Sequence, residues 1–488
     1  MNWKLFLSLI LLLGLILRIK FFIGLNWSDD VGYVYLANQV LDGTFKPSYM
    51  ASLRLMMIFP LAFFFYLFGI SNFSAALYPL ILSLGNIVLT FLIGKLLFNE
   101  KAGLIGALLM AFYPLDVNYA TWIMPDVPIT FFTGLSVFMF LIGEKKNSRK
   151  FLLLSGIFAG LAYLLKLSGL LVFVFFVSYY SFVFLFKRKI PSNFLFILLG
   201  YLIVFLVEGS YYYLTTKDFF LQFNVGFKYF AERERLKYEF LTDLTYYPKI
   251  MFNLDNNFSF QFKNYYTYFG IFYYLVVFST IFLLIKKVKN SYVLILWFLS
   301  IFLYMQFGTM SYKEYIPMHR LDRHLTILSI PSILILSAFL EILRKRVKFL
   351  FIVTLVFLCG SFLFYIKNIY KLQIDATKDT KLIFEELKKL PEKTVYSDGG
   401  TIGHLMFYSK FRKNHLYKPL DFRSCEELKD SYVIVNATRG WIEFSPMLKN
   451  YPLCVFERPN NWILLKTIKS DATSYPYNLF DPQIFYVS

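Results

Sequence analysis

The chain of 488 residues is 58% hydrophobic, 21% aromatic and only 17% charged, and its formal net charge at pH 7 is +19. This much apolar surface cannot be buried in one water-soluble core, so the composition excludes an ordinary soluble protein and predicts a polytopic membrane protein. The positive residues cluster in short loops between apolar segments, at 145–150, 187–189, 286–289 and 344–348, and this placement removes the need to invoke nucleic-acid binding.

The apolar segments predict about eleven transmembrane helices. The first is predicted to remain as a span, because it is too long for a cleaved signal peptide. Loops rich in Lys and Arg stay in the cytoplasm, so the N-terminus is predicted to be cytoplasmic and the C-terminal region to lie outside the plasma membrane. The predicted spans lie near residues 3–25, 73–96, 102–116, 127–143, 151–167, 169–186, 193–214, 265–285, 291–308, 321–341 and 347–366.

The stretch Leu55–Phe68 is apolar but short for a span. Counting it as one would move the basic loops to the outer side. We therefore predict an interfacial helix within a first outer loop from about Asn26 to Asn72.

The hydrophilic segment from about Tyr370 predicts a second domain, which divides the chain into a transmembrane domain at 1–369 and an extracytoplasmic α/β domain at 370–488. Helical periodicity covers Lys381–Leu390 and ends at Pro391, and three β-branched runs at 393–398, 431–437 and 462–468 are typical of strands. Cys425 and Cys454 lie in this domain and are predicted to pair if the compartment is oxidising.

An adjacent pair of acids, Asp29 and Asp30, follows the first span. Ser28 is a candidate N-cap for a helix that begins there and ends at Gly43, and acids in a first helical turn stabilise it. That is one interpretation of the pair. In the other, a carboxylate at a helix N-terminus stays ionised and serves as a general base or a metal ligand.

A second acid, Asp126, stands between two prolines before the fourth span. It is either the N-cap of that helix or a second carboxylate at the depth of Asp29, where two acids can bind a polar substrate. Glu208 lies inside the seventh span near its outer end, where a charge is costly to bury. We expect it either to line the same cavity or to pair with a Lys or Arg of another helix.

Several basic residues also lie at the predicted outer face. Snorkelling to lipid headgroups is the simplest explanation for them. Positive charge is nevertheless disfavoured in outer loops, so the cluster favours an anionic partner such as a lipid phosphate. The residues are Lys166 in the hairpin between the fifth and sixth spans, Arg320, Arg323 and His324 before the tenth, and Arg18 near the end of the first.

At these residues the chain resembles the GT-C glycosyltransferases, especially the lipid A aminoarabinose transferases and the protein O-mannosyltransferases. The resemblance covers roughly residues 5–340 and rests on the order and spacing of several motifs, namely SDDVGYVYLANQVLDG, MPDVPITFF, GIFAGLAYLLKLSGLL and RLDRHLTILSIP. It implies an integral membrane enzyme that uses a polyprenyl-phosphate-linked sugar.

The resemblance also implies roles for single residues. Asp29 matches the catalytic acid, Asp30 the acid beside it, Tyr33 the tyrosine that follows and Asp126 the acid of the second outer loop. Lys166 matches a lysine that holds the donor phosphate, and Arg18 an arginine that ends the first span. The chain departs from the aminoarabinose enzymes at Gly32, where they have an arginine, and it replaces their Glu-Lys-Pro motif only loosely, with Arg54 and Pro60.

The predicted function is inverting transfer of a sugar from a polyprenyl or dolichyl phosphate to a lipid, glycan or protein acceptor on the outer face of the membrane. Asp29 would take the acceptor proton, while Lys166, Arg320 and Arg323 would stabilise the leaving phosphate. The sequence identifies no definite cofactor and leaves metal dependence open, with Asp29 and Asp126 as the alternative ligands of a divalent cation, Mg²⁺ or Mn²⁺. A transporter or flippase for an anionic lipid or solute is the alternative function, and a membrane scaffold or receptor is a third.

Overall fold

The computed structural model describes residues 2–26, 29–188, 193–234, 244–252, 254, 269–309, 315, 317–318, 320–412, 415–436, 451–469 and 481–488. The helices of the N-terminal half are α1 (Trp3–Lys20), α2 (Asp29–Leu41), α3 (Leu55–Phe68), α4 (Asn72–Leu97), α5 (Glu100–Phe112), α6 (Pro114–Tyr119), α7 (Asp126–Lys146), α8 (Arg149–Leu165), α9 (Leu171–Lys187), α10 (Phe194–Thr216) and α11 (Leu221–Glu234). Those that follow are α12 (Tyr246–Phe252), α13 (Phe272–Ile285), α14 (Ser291–Phe307), α15 (Ser329–Arg346), α16 (Lys348–Leu387), α17 (Gly399–Tyr408) and α18 (Cys454–Glu457).

The protein is an integral membrane protein built mainly of apolar helices. Within the described ranges, six helical segments are long and apolar enough to cross a bilayer, and three more are apolar but shorter. The number of eleven spans therefore stays a prediction, as does the interfacial position of α3. The six long segments are Asn72–Leu97, Asp126–Lys146, Leu167–Phe186, Phe194–Thr216, Asp322–Arg346 and Lys348–Leu387, and the shorter ones are Leu55–Phe68, Phe272–Ile285 and Ser291–Phe307.

Glycines allow α8 and α10 to pack backbone against backbone. A Cβ atom at Gly156 would lie 1.9 Å from the carbonyl oxygen of Ile197, and one at Gly200 would lie 2.1 Å from that of Leu153. Small residues are favoured at such crossings in membranes because they let the helix axes approach closely. This contact fixes α8, and so the position of the residue that follows it, Lys166.

The C-terminal domain is a small α/β unit, as predicted. Its described strands form one sheet in the order β2-β1-β3-β5-β4. The strands β2, β1 and β3 run parallel to one another, and β5 runs antiparallel to both of its neighbours, β3 and β4. The three predicted strands are confirmed as β1, β3 and β4, and a disulfide joins Cys425 to Cys454. The strands are β1 (Thr394–Ser397), β2 (Leu416–Pro419), β3 (Ser431–Val435), β4 (Trp462–Thr467) and β5 (Gln483–Val487).

The boundary predicted at residues 369 and 370 falls inside a continuous helix. α16 runs for 40 residues, from Lys348 to Leu387, and so joins the last predicted span to the predicted helix at 381–390. The change in composition marks where the helix turns from apolar to polar. It does not mark a break in the backbone, since no helix-breaking residue lies there.

The C-terminal domain packs directly on α2 through α17. A Cβ atom at Gly403 of α17 would lie 2.0 Å from Cγ1 of Val31, so the two helices touch where one has no side chain. Aromatic rings extend the contact, with Tyr35 and Phe411 6.2 Å apart between centroids. The helix that begins with Asp29 and Asp30 is thus held between the membrane helices and the C-terminal domain.

Candidate functional site

The two adjacent acids of α2 have different environments. Asp30 is fully buried, and its Oδ2 accepts hydrogen bonds from the backbone N–H of Asn26 and, at 3.1 Å, from Nε1 of Trp122. Two donors that hold one oxygen fix Asp30 at the start of α2, and its catalytic role stays a prediction. The predicted cap, Ser28, lies outside the described residues, and α2 ends at Leu41, with Gly43 in a left-handed conformation as expected.

Asp29 is the accessible member of the pair. Its side chain is 44% exposed, and its Oδ2 lies 3.1 Å from Nη1 of Arg54. The Arg54 guanidinium in turn lies over the ring of Tyr33, 5.2 Å from the ring centroid, and Tyr33 is fully buried. The ring therefore supports Arg54, and Arg54 faces Asp29.

Asp126 is the first residue of α7, but it does not cap the helix. The N-cap position is occupied by Pro125, so the interpretation of Asp126 as the N-cap is wrong. The carboxylate is 4% exposed and its Oδ2 lies 4.0 Å from Nε of Arg323. Among the described residues neither of these two atoms has a hydrogen-bond partner. The pair is held by charge alone, and both atoms keep their hydrogen-bonding capacity.

Lys166 lies close to the same acids and arginines. It follows the end of α8 in an extended conformation, in a tight hairpin where the N–H of Gly169 bonds its carbonyl. A side chain at Gly169 would collide with the backbone of Ala162, which explains the glycine. The ammonium lies 2.8 Å from Nε2 of His324. Burial lowers the pKa of Lys166 to about 7, an effect that the nearby Asp126 carboxylate partly offsets.

These side chains form one charged cluster. Lys166 interacts electrostatically with Asp126, Arg323, Arg54 and Asp29, and Arg323 interacts with both Asp126 and Asp29. Five segments that are distant in sequence thus meet at one place. We call this group the charged cluster, and it consists of Asp29, Arg54, Asp126, Lys166, Arg323 and His324.

Two predicted phosphate ligands lie elsewhere. Arg18 is fully buried, and its guanidinium donates to the carboxylate of Asp116 at 2.5 Å and to backbone carbonyls of Gly14 and Ala111. Arg320 is also fully buried, and its Nη2 donates to the carbonyl of Gln306 at the end of α14 at 2.6 Å. These protein acceptors hold both guanidinium groups in buried positions, and their role as donor ligands stays a prediction.

Glu208 is buried in α10 and accepts a hydrogen bond from Tyr212 at 3.1 Å. The same hydroxyl lies 3.1 Å from the carbonyl oxygen of Leu53. The structure thus gives Glu208 a tyrosine partner instead of the cation that was one of its predicted alternatives. Through Tyr212 it supports the short segment that precedes Arg54.

The donor set does not fit a divalent cation well. Within the described part of the chain no group of three or more His, Cys, Asp or Glu side chains is arranged to hold a metal ion. Each acid of the charged cluster instead faces a guanidinium, at 3.1 Å for Asp29 and 4.0 Å for Asp126. Cations at these positions compete with a metal for the same carboxylate oxygens.

Sequence reasoning missed Trp122 and the buried partners of Arg18. Trp122 follows a conspicuous run of polar and aromatic residues, but no local pattern connects its indole N–H to an acid 92 residues earlier. Ser83 and Asn86 bond to Asp116 from the middle of α4. Polar residues within an apolar helix were the only available signal for that network.

The chain was compared with known proteins. Residues 46–211 match the family model described as dolichyl-phosphate-mannose-protein mannosyltransferase, a match over well under half of the chain. A search among curated protein sequences finds no significant match. The chain is similar to the crystal structure of ArnT from Cupriavidus metallidurans bound to undecaprenyl phosphate, with a TM-score of 0.61 and 12% identity, over 99% of this chain and 97% of ArnT.

A second likeness is to the archaeal oligosaccharyltransferase AglB from Archaeoglobus fulgidus, whose structure contains an inhibitory peptide and a dolichol-phosphate. Its TM-score is 0.51 at 11% identity, over 85% of this chain and 64% of AglB, so the chain spans less than two thirds of that protein. These likenesses agree with the resemblance seen in the sequence motifs. The chain has the fold of the GT-C glycosyltransferase superfamily.

Proposed function

We propose that the protein transfers a sugar from a polyprenyl-phosphate-linked donor to an acceptor hydroxyl group at the outer face of the membrane. The observation that carries the proposal is the charged cluster. In it two acids lie close to two arginines, Arg54 and Arg323, and to Lys166, which contacts His324. An excess of positive charge suits a phosphodiester, and an accessible carboxylate beside it suits an acceptor. The ligands bound to ArnT and AglB, undecaprenyl phosphate and dolichol-phosphate, support the same donor class.

The chemistry is one displacement at the anomeric carbon. Asp29 takes the proton of the acceptor hydroxyl, and the acceptor oxygen forms the new glycosidic bond as the bond from the anomeric carbon to the phosphate oxygen breaks. Polyprenyl phosphate leaves with the bonding electron pair, and its new charge is stabilised by Arg54, Lys166 and Arg323. A single displacement inverts the configuration of that carbon.

The outer location rests on charge distribution and on the disulfide. The basic loops predict a cytoplasmic N-terminus, and the pairing of Cys425 with Cys454 is typical of a compartment that is oxidising. In that orientation the site is separated from cytosolic nucleotide sugars, which favours a lipid-linked donor. The alternative function, a transporter or flippase, gains no specific support from the described residues, because the buried charges Arg18 and Asp116 pair with each other.

The test is transfer of labelled sugar by the purified protein from a panel of polyprenyl-phosphate sugars, with extracted envelope lipids, glycans and peptides as acceptors. Asp29→Asn is compared with Asp42→Asn, an exposed acid just beyond α2 whose carboxylate bonds only Asn38 in the described structure. We expect loss of about 10²- to 10⁴-fold in rate for Asp29→Asn and an unchanged rate for the control. Full activity of Asp29→Asn would remove it as the base, and failure of every donor would overturn the proposed function.

A further inference from the structure

A cavity of about 460 Å³ opens in the C-terminal domain. It lies where the end of α16, the end of α17 and the strand β2 meet. Volumes of this order are typical of small-molecule sites. Its lining residues fall into three groups: charged residues (Lys388, Glu392, Lys410, Arg412), rings (Phe384, Tyr408, His415, Tyr417) and neutral residues (Leu387, Leu390, Pro391, Ser409).

The charged lining carries an excess of positive charge. Lys388 is already paired with Glu385 at 2.6 Å and lies over the ring of Phe384. Lys410 and Arg412, by contrast, are exposed, and no ion pair is found for either within the described ranges. Among the described lining residues these two cations are accompanied by one acid, Glu392, and the surplus of positive charge favours an anionic ligand.

The walls suit a sugar ring. Phe384, Tyr408 and Tyr417 line the cavity with aromatic rings, a type of side chain against which the C–H face of a pyranose packs. The hydroxyl groups of Tyr417 and Ser409 can exchange hydrogen bonds with sugar hydroxyls. The Ser409 hydroxyl donates to the carbonyl of Met406 and keeps its capacity to accept a hydrogen bond from a ligand.

The side chain of Tyr408 lies between the cavity and α2, the helix that begins with Asp29 and Asp30. Tyr408 lines the cavity, and burial together with the Asp30 carboxylate raises the pKa of its hydroxyl, which places the hydroxyl within the field of Asp30. The same helix, α17, touches α2 at Gly403 and Val31. A molecule in the cavity is therefore adjacent to the segment that positions Asp29.

We propose that this cavity binds a saccharide bearing a carboxylate or phosphate group, as the anchoring part of the acceptor. Lys410 and Arg412 hold the anion, the aromatic walls hold the ring, and the acceptor chain continues past Tyr408 toward α2. The acceptor role rests on the proposed function, whereas the binding of an anionic saccharide does not.

The test measures binding to the full-length protein in detergent by ligand-observed NMR titration, in the absence of any donor. Glucuronate, glucose 6-phosphate, neutral methyl glucoside and inorganic phosphate serve as probes, so that the carboxylate, the phosphate and the ring are varied separately. The variant Lys410→Gln/Arg412→Gln is compared with Lys429→Gln/Lys466→Gln, which removes the same charge from exposed positions of the same domain outside the cavity.

We expect glucuronate, glucose 6-phosphate or both to bind at least about tenfold more tightly than methyl glucoside and than inorganic phosphate. The double variant in the cavity should lose about tenfold in that affinity, while the control should not. Equal binding by the two double variants would overturn the proposal, as would inorganic phosphate binding as tightly as glucose 6-phosphate. Because no donor is present, this result is independent of whether the enzyme transfers sugar.

Discussion

The guanidinium of Arg54 faces the carboxylate of Asp29 across 3.1 Å, at the mouth of the charged cluster. Asp29 is 44% exposed and Arg54 14% exposed, so water screens the pair and its contribution to stability is small, about 0–1 kcal/mol. A weak pair is easily exchanged for a contact with an incoming phosphate. Arg54 is therefore well placed to leave Asp29 and bind the donor.

Replacing Arg54 by Gln should raise KM for the donor by about tenfold or more, because a charge-assisted hydrogen bond to phosphate is lost. Steady-state kinetics with a varied donor concentration check this. Lys46→Gln removes an exposed cation from the same loop and should leave KM unchanged. An unaltered KM in Arg54→Gln would show that the phosphate lies elsewhere.

Donor affinity should depend on pH through Lys166. Its pKa is about 7 in the free protein, and a neighbouring phosphate anion must raise it. Below pH 7 the ammonium is charged in both states and affinity is constant. Above pH 7 binding takes up a proton, so affinity should fall as pH rises, by up to about tenfold per pH unit.

Titration of the protein with a sugar-linked polyprenyl phosphodiester, without acceptor, measures this dependence, because a diester carries no group that titrates near pH 7. Calorimetry in buffers of different ionisation enthalpy reports the proton uptake directly. Lys166→Arg keeps its charge at all these pH values and should bind with no pH dependence between 7 and 9. A dependence that persists in this variant would assign the titration to another group.

Asp30 and Trp122 should affect stability more than chemistry. Asp30→Leu leaves the N–H groups of Asn26 and Trp122 buried without an acceptor, which costs about 1–3 kcal/mol for each group. Asp30→Asn keeps an acceptor oxygen and should retain most of its thermal stability and transfer rate. Thermal unfolding in detergent and transfer assays measure the two properties. Inactivation of Asp30→Asn without loss of stability would instead assign Asp30 a catalytic role.

The buried pair of Arg18 and Asp116 should behave as a structural unit. Replacing either alone, as Arg18→Met or Asp116→Leu, leaves one uncompensated buried charge and should destabilise the fold by about 3–5 kcal/mol. The double variant removes both charges and should be closer to wild type than either single variant. Thermal unfolding of the four proteins forms the cycle. Additive losses in the double variant would mean that the two side chains do not act together.

Local patterns predicted much of the secondary structure. Hydrophobic length identified the long membrane helices, and β-branched runs identified β1, β3 and β4, because both signals lie within one segment. The strands β2 and β5 were missed, since Leu416–Pro419 and Gln483–Val487 carry little periodicity and are ordered by pairing with β1 and β3. Pairing partners are set by the whole sheet, so no single run reveals them.

The candidate site was likewise predicted in part from the sequence and decided in part by the tertiary structure. The sequence by itself determined that acids and bases gather at the ends of apolar segments. Charged side chains are costly inside the bilayer, so they lie at the ends of the spans, and hydropathy along the chain identifies where the spans end. Only the tertiary structure decided which of them meet. It placed Asp29, Asp126, Lys166 and Arg323 together, buried Asp30 under Trp122, and paired Arg18 with Asp116. Helix packing sets these distances, and packing depends on close contacts such as Gly156 against Ile197, between residues far apart in the chain.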